Sequence, residues 1–274
     1  MPELPEVETV RRALLKQIIG KTITKVDVFY PRIIRHPHDI EEFKMLLKGQ
    51  TLHKIDRRGK YLLFRFDQVT LVSHLRMEGK YLYKAEKSVS LDKHVHVVFY
   101  FNDGSELQYH DVRKFGTMEL VFKGEEEKLA SLKKLGQEPI DPLFDQELFK
   151  RKVQKRNIAI KKILLDQTII SGLGNIYVDD TLAMSKIHPL RLGTSLTDEE
   201  IARITNSMIE VLNKAIEKGG SSIRTFESLH GKGSMQDHLI VYGRTNLPCH
   251  YCGTPIEKIK VGGRGTHYCP TCQK

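Results

Sequence analysis

No cysteine occurs before residue 249 of this 274-residue chain. That excludes a disulfide framework across the body of the protein. There is no run of about 18 apolar residues, which excludes a membrane-spanning helix. The amino terminus is acidic and has no apolar core, so it does not read as an export signal. Acidic residues are outnumbered: 34 Asp+Glu face 44 Lys+Arg, for a net charge of +10. That balance points to a polyanionic partner, nucleic acid or an acidic membrane surface, and charge alone does not choose between them. The expectation is a soluble, cytoplasmic protein, long enough for two domains or for one domain and an appendage.

The cysteines that are present sit together at the end. Cys249 and Cys252, then sixteen residues, then Cys269 and Cys272, have the spacing of a four-thiolate zinc site built on two turns. Four thiolates leave no open position for water, so one structural Zn2+ is expected, folding a hairpin too small to fold alone. Between the pairs, Gly262-Gly263-Arg264-Gly265 reads as the hairpin tip, where an arginine can grip phosphate or simply decorate a solvated turn.

Residues 3–19 have helical periodicity, with Val7, Val10, Leu14, Leu15 and Ile18 on one side and Gly20 as the stop. From Thr22 to about Phe122 the pattern becomes short β-branched and aromatic runs separated by Arg58-Gly59, Glu78-Gly79 and Asn102-Asp103-Gly104, which predicts an antiparallel sandwich or barrel. The charged stretch 123–134, with Gly136, Pro139 and Pro142, reads as a hinge, and the period is helical from Asp145 to Gly219. The Ser- and Gly-rich segment that follows reads as a mobile loop. The expected division is 1–131, hinge 132–144, helical domain 145–220, loop 221–238 and zinc hairpin 239–274: an α+β multidomain chain.

Met1-Pro2-Glu3-Leu4-Pro5-Glu6 is the most informative segment. Proline is small enough for the initiator methionine to be removed, leaving a free secondary amine. An α-amino group titrates near ~8 and a lysine near ~10.4, so roughly a tenth of such an amine is unprotonated at neutral pH. It is then a nucleophile toward an aldehyde-like carbon without a base to activate it. Glu3 and Glu6 lie three apart and share a helix face. The same residues are also ordinary helix-start chemistry, with proline in the first turn and acids at the positive end of the dipole.

Further motifs lie along the chain. Gly172-Leu173-Gly174-Asn175 reads as a tight turn into a helix amino terminus, which suits a phosphate. Arg57-Arg58-Gly59-Lys60 puts a lysine at a strand start, within reach of a nucleophile's pocket or a phosphate. The segments His74 to Lys80 and Asp111 to Gly116 carry Met77, Arg113 and Phe115 next to turns, with the character of wedges that enter a base stack. By spacing alone, Met77 and Phe115 read instead as core residues.

Pro2-Glu3-Leu4-Pro5-Glu6, Arg57 to Lys60, His74 to Lys80, Gly172 to Asn175, Val241-Tyr242-Gly243-Arg244 and the four-cysteine tail occur in order over essentially the whole chain. Together they resemble the formamidopyrimidine-DNA glycosylases (MutM) of the Fpg/Nei family. That resemblance implies a bacterial, monomeric base-excision repair enzyme acting on double-stranded DNA that contains oxidised purines or abasic sites. It also implies a β-sandwich led by a catalytic helix, then a helix–two-turn–helix domain with a zinc hairpin, and DNA in the cleft between them. By the same resemblance Pro2 attacks C1′, Glu3 is the general acid/base and Glu6 supports the site. Lys60, His74, Asn175 and Arg264 hold phosphates with Tyr242 nearby, and Lys60 and Arg264 count with the catalytic set. Met77, Arg113 and Phe115 fill the vacated space, which reverses the core reading. Glu78, Ser221, Arg224 and Thr225 read the flipped base. One departure is Asp180, where the family usually has glutamate; the expected effect is a small change in packing and no loss of activity.

Two other readings compete. An endonuclease VIII (Nei)-like enzyme for oxidised pyrimidines usually has glycine where this chain has Leu4, and Arg113-Lys114-Phe115 also argues against it. A non-catalytic zinc-containing DNA-binding protein needs neither a proline terminus nor Glu3.

Overall fold

A computed structural model describes residues 1–221 and 233–274. The chain forms two compact units. The first comprises Met1–Lys133 with Ser221, and the second Lys134–Gly220 with Ser234–Lys274.

The first unit opens with α1 (Leu4–Ile18). Val7, Val10, Leu14 and Ile18 are buried at the helical repeat, while Leu15 lies at the edge of the core. The helix stops before Gly20, whose φ of +78° a side chain would resist. Then follow β1 (Ile23–Val28), β2 (Ile34–His36), α2 (Ile40–Leu47), β3 (Lys54–Arg58), β4 (Tyr61–Arg65), β5 (Val69–His74), β6 (Lys80–Lys84), β7 (Val95–Phe101), β8 (Glu106–His110) and β9 (Thr117–Phe122). One sheet has the order β1-β7-β8-β6 and the other β2-β9-β5-β4-β3. Their facing side chains, among them Val26, Phe99, Leu107, Phe64, Leu71 and Met118, share one core with α1. The sandwich expected from the sequence is present. Its pairing is antiparallel except for β2 with β9, which is parallel at Ile34↔Met118. Truncating a fully buried member such as Leu14 to alanine is worth about 2–5 kcal/mol.

The short helix α3 (Ala130–Lys133) ends this unit. The second unit holds α4 (Gln146–Gln154), α5 (Ile160–Leu165), α6 (Asn175–Met184), α7 (Asp198–Glu217) and the hairpin β10 (Glu257–Val261) with β11 (Arg264–Tyr268). Helix α6 is buried from Tyr177 to Ala183 on all sides, as a central helix is. Helix α7 starts on a reciprocal cap: Thr197 N–H donates to Glu200 Oε2 at 2.9 Å and Glu200 N–H to Thr197 Oγ1 at 3.2 Å. No described helix is long and apolar enough to cross a membrane.

Candidate active site and nucleic-acid interface

In the first unit the site begins where α1 begins. Met1 is 45 % exposed and Pro2 is buried behind it, its nitrogen an amide while Met1 is attached. Glu3 caps the helix and is 2 % exposed; its N–H donates to Glu6 Oε2 at 2.8 Å, the acidic arm of a capping box. The other Glu6 oxygen, Oε1, accepts from Ser221 N–H at 2.8 Å and Ser221 Oγ at 3.3 Å. Glu6 therefore ties the helix head to Ser221. Arg224 and Thr225 lie outside the described residues, as does most of the loop expected over 221–238.

One turn along α1, Glu8 is buried and takes hydrogen bonds from Arg11 at 2.9 and 2.7 Å and Arg12 at 2.8 Å, with Arg57 at 3.3 Å. Burial pushes its carboxyl up, but the three guanidinium groups prevail and hold it at about 2. Arg57 also donates to the carbonyl of Gly59 at 3.0 Å. This fixes the two-residue turn Gly59-Lys60 between β3 and β4, with Gly59 at φ +56°. Lys60 is 5 % exposed on that turn. Sequence reasoning misses Glu8: its i+3 and i+4 arginines look like surface pairs, and only packing reveals the burial.

Register pairs Tyr61 with His74, bringing the Lys60 turn beside His74. The His74 ring lies edge-on to Tyr61, centroids 4.4 Å apart. Its Nδ1 accepts from Arg76 N–H at 2.9 Å, so the neutral ring carries its proton on Nε2. Burial, then the cations of Arg76 and Lys60, lower its pKa to about 3. It is a neutral donor at physiological pH.

Met77 is 38 % and Phe115 51 % exposed, so neither is a core side chain. Glu78 is half-buried. Arg113 stacks over the Phe115 ring at 4.9 Å. Their turn is organised by the buried Asp111 carboxylate, which accepts from the N–H groups of Arg113 (3.0 Å), Phe115 (2.9 Å) and Gly116 (2.8 Å).

The second unit assembles a separate group. Gln167 spans the turn between α5 and α6: its amide donates to Leu173 O at 2.8 Å and its carbonyl accepts from Gly172 N–H at 3.1 Å. Asn175 opens α6 and donates to Gly265 O at 2.9 Å, and Lys161 Nζ reaches the same carbonyl at 3.2 Å. Lys161 and Asp179 form a fully buried ion pair at 2.6 Å, and the other Asp179 oxygen accepts from His267 N–H at 2.8 Å. The strand that starts with exposed Arg264 is thus fixed at Gly265 and again at His267. Gly262 and Gly263, at φ +56° and +79°, make the tip that the spacing predicts. Tyr242 packs on His267, ring centroids 4.9 Å apart.

Asp180 does more than fill space. It is fully buried and its carboxylate accepts from the N–H groups of Ile240 (2.9 Å), Val241 (3.1 Å) and Tyr242 (3.2 Å). Burial raises its pKa to about 6 against the pull of those three donors. The carboxylate anchors the Tyr242 segment, a role that aspartate fills here where the family usually has glutamate. An acid within an apolar helix is the signal in the sequence that points to it.

The thiols of Cys249, Cys252, Cys269 and Cys272 lie within 4.8 Å of one another, with Cys249–Cys272 at 4.0 Å and Cys252–Cys269 at 3.5 Å. A tetrahedral zinc with bonds of ~2.3 Å separates its sulfurs by about 3.8 Å, so the four residues fit that ion. None forms a disulfide.

Three family models match the chain. They are the formamidopyrimidine-DNA glycosylase N-terminal domain over residues 1–118, the formamidopyrimidine-DNA glycosylase H2TH domain over 135–227, and the zinc finger found in FPG and IleRS over 246–274. The formamidopyrimidine-DNA glycosylase of Exiguobacterium sibiricum is 54 % identical, covering 100 % of this chain and 99 % of its own; that of Cytobacillus firmus is also 54 % identical, covering all of both. Among solved structures, Lactococcus lactis Fpg in complex with DNA containing an abasic site is 48 % identical with a TM-score of 0.93, covering 99 % of each chain. A point mutant of L. lactis FPG with Fapy-dG DNA (48 %, TM-score 0.94) and MutM with carbocyclic 8-oxo-G DNA (47 %, TM-score 0.92) each cover 100 % of both chains.

Proposed function

The chain belongs to the formamidopyrimidine-DNA glycosylase family, and we propose on that footing that it excises oxidised purines, 8-oxoguanine and formamidopyrimidines, from duplex DNA and then cleaves the strand at the abasic site. The observation that carries this reading is whole-length likeness to proteins solved with abasic-site, Fapy-dG and 8-oxo-G DNA.

The reaction is derived for the chain after Met1 is removed. The Pro2 nitrogen attacks C1′ of the damaged nucleotide while the bond from C1′ to the base breaks, and the departing base takes a proton. Glu3, beside Pro2, exchanges protons with the opened sugar. Loss of the O4′ bond leaves an iminium between Pro2 and C1′. The iminium withdraws electrons and acidifies C2′, so deprotonation there expels the 3′ phosphate. A second proton loss further along the sugar expels the 5′ phosphate, the β,δ-sequence. Glu6 supports Glu3 through the 2.8 Å hydrogen bond to its N–H.

Lys60, His74, Asn175 and Arg264 are assigned to the phosphates, with Tyr242 beside them. The neutral Nε2–H of His74 and the exposed guanidinium of Arg264 support those roles. Met77, Arg113 and Phe115 are assigned to the space the base vacates, a role their exposure supports. Glu78, Ser221, Arg224 and Thr225 are assigned to the flipped base. Zinc on the four cysteines supplies the cross-link that keeps the hairpin folded. A boundary near residue 131–144 and a base-capping role for 221–238 belong to the same reading, as does action in the bacterial cytoplasm at the nucleoid.

The test is single-turnover excision on duplexes carrying 8-oxoguanine, formamidopyrimidine or an oxidised pyrimidine. Fast release of the two purine lesions is expected. Preference for the pyrimidine would transfer the chain to the endonuclease VIII-like reading, and binding without any excision to the non-catalytic one.

A further inference from the structure

We propose that Tyr109 is a positioning residue that couples the two turns carrying Met77 and Arg113/Phe115, so that these side chains enter the DNA as one unit. The inference rests on the void-filling role proposed above.

Tyr109 lies in β8, opposite Tyr81 in β6, and is fully buried. The Tyr81 ring meets it edge-on at 5.2 Å and donates its own hydroxyl to Ser73 Oγ at 2.7 Å. Both turns close on the Tyr109 hydroxyl. A Cβ on Gly116 would sit 1.6 Å from that oxygen and 2.7 Å from Cζ; one on Gly79 would sit 2.2 Å from the same oxygen. Glycine is needed at both places for the approach. Burial, then the neighbouring Asp111 carboxylate, keeps the hydroxyl protonated. The close approach of both glycines makes this oxygen the solid point under the two turns.

Each turn also contains a strained residue next to the side chain it presents. Arg76, before Met77, has φ +52°, and Lys114, between Arg113 and Phe115, has φ +57°. Within each turn, hydrogen bonds hold that conformation: Gly79 N–H to Leu75 O at 2.9 Å in one, the Asp111 carboxylate in the other. Tyr109 is the side chain on which both rest, so a shift of one turn is passed to the other.

The test compares excision of 8-oxoguanine opposite cytosine in a duplex with cleavage at an abasic site in a single strand by the same enzyme. A single strand offers no stack to enter and no orphaned base, so it reads the chemistry alone. Tyr109→Phe removes only the oxygen and is expected to slow duplex excision about tenfold while single-strand cleavage stays within about twofold. Gly116→Ala is expected to slow duplex excision further. Adding Tyr109→Phe to Gly116→Ala should then recover part of that loss, partial because Cζ remains close. Equal losses on both substrates, no effect of Tyr109→Phe, or a double variant no faster than Gly116→Ala would each overturn the proposal. A wild-type enzyme inactive on both substrates would instead overturn the function itself.

Discussion

Ser221 N–H donates to Oε1 of Glu6 at 2.8 Å, and the second oxygen of the same carboxylate takes the N–H of Glu3 at 2.8 Å. One buried side chain on the first turn of α1 thus joins the proposed general acid/base to a residue more than two hundred positions away.

Glu6→Gln keeps the shape but replaces one acceptor oxygen by a donor, leaving either the Glu3 or the Ser221 N–H buried against an NH2. A buried donor without an acceptor costs about 1–3 kcal/mol, which predicts roughly 5- to 150-fold slower excision in single-turnover kinetics. Excision at the wild-type rate would show that Glu6 is only a helix cap.

Glu3→Gln should bind lesion duplex with near-normal affinity and excise about 10²–10⁴-fold more slowly, the range for a lost general acid/base. Gel-shift affinity and product formation on one preparation separate the two effects. Near-normal excision removes Glu3 from the mechanism.

His74 has a folded pKa of about 3 against roughly 6.5 when unfolded. Between those values the unfolded chain holds the extra proton. Stability is therefore retained above about pH 6.5 and lost as pH falls toward 3, with a slope of up to ~1.4 kcal/mol per unit for the one proton. Denaturant melts of the wild type and His74→Gln from pH 7 to pH 5 should diverge in slope, the wild type losing more. Parallel curves would mean that His74 is not held neutral.

Asp180→Ala leaves three N–H groups, the buried one of Val241 and the part-buried ones of Ile240 and Tyr242, without their acceptor. A loss on the order of 3 kcal/mol is expected, read as a lowered denaturation midpoint, and Asp180→Glu should recover part of it. A change below about 0.5 kcal/mol would return Asp180 to the status of packing.

Chelating zinc should unfold the hairpin of β10 and β11 and abolish DNA binding, since four thiols without the ion have no reason to stay together. Tight binding after verified metal loss would contradict a structural role. Binding of the zinc-loaded protein should also weaken steeply with salt, as several phosphate contacts imply.

The strands Ile23–Val28, Val95–Phe101 and Thr117–Phe122 are legible in the sequence because β-branched and aromatic runs end at turns. Helix α2 is not, since Ile40–Leu47 offers only Phe43 and Leu47 as buried positions. Nor is the parallel pairing of β2 with β9, which joins residues as far apart in sequence as Ile34 and Met118. In the site, the zinc ligands follow from spacing and Arg264 from its glycines. Glu8, Asp111, Asp179, Asp180 and Tyr109 escape sequence reasoning, in whole or in part, for one physical reason. Their importance lies in being buried with particular backbone or side-chain neighbours, and burial is a property of the tertiary fold. In the sequence each looks like an ordinary acid or strand tyrosine.

Borohydride trapping tests the central claim most directly. The enzyme, with its amino terminus verified by mass spectrometry, is mixed with an abasic-site duplex and borohydride, and the adduct is digested and sequenced. The account predicts a covalent protein–DNA adduct at Pro2, absent from Pro2→Gly and from protein retaining Met1. An adduct on a lysine, or one that persists when Met1 is retained, would contradict it.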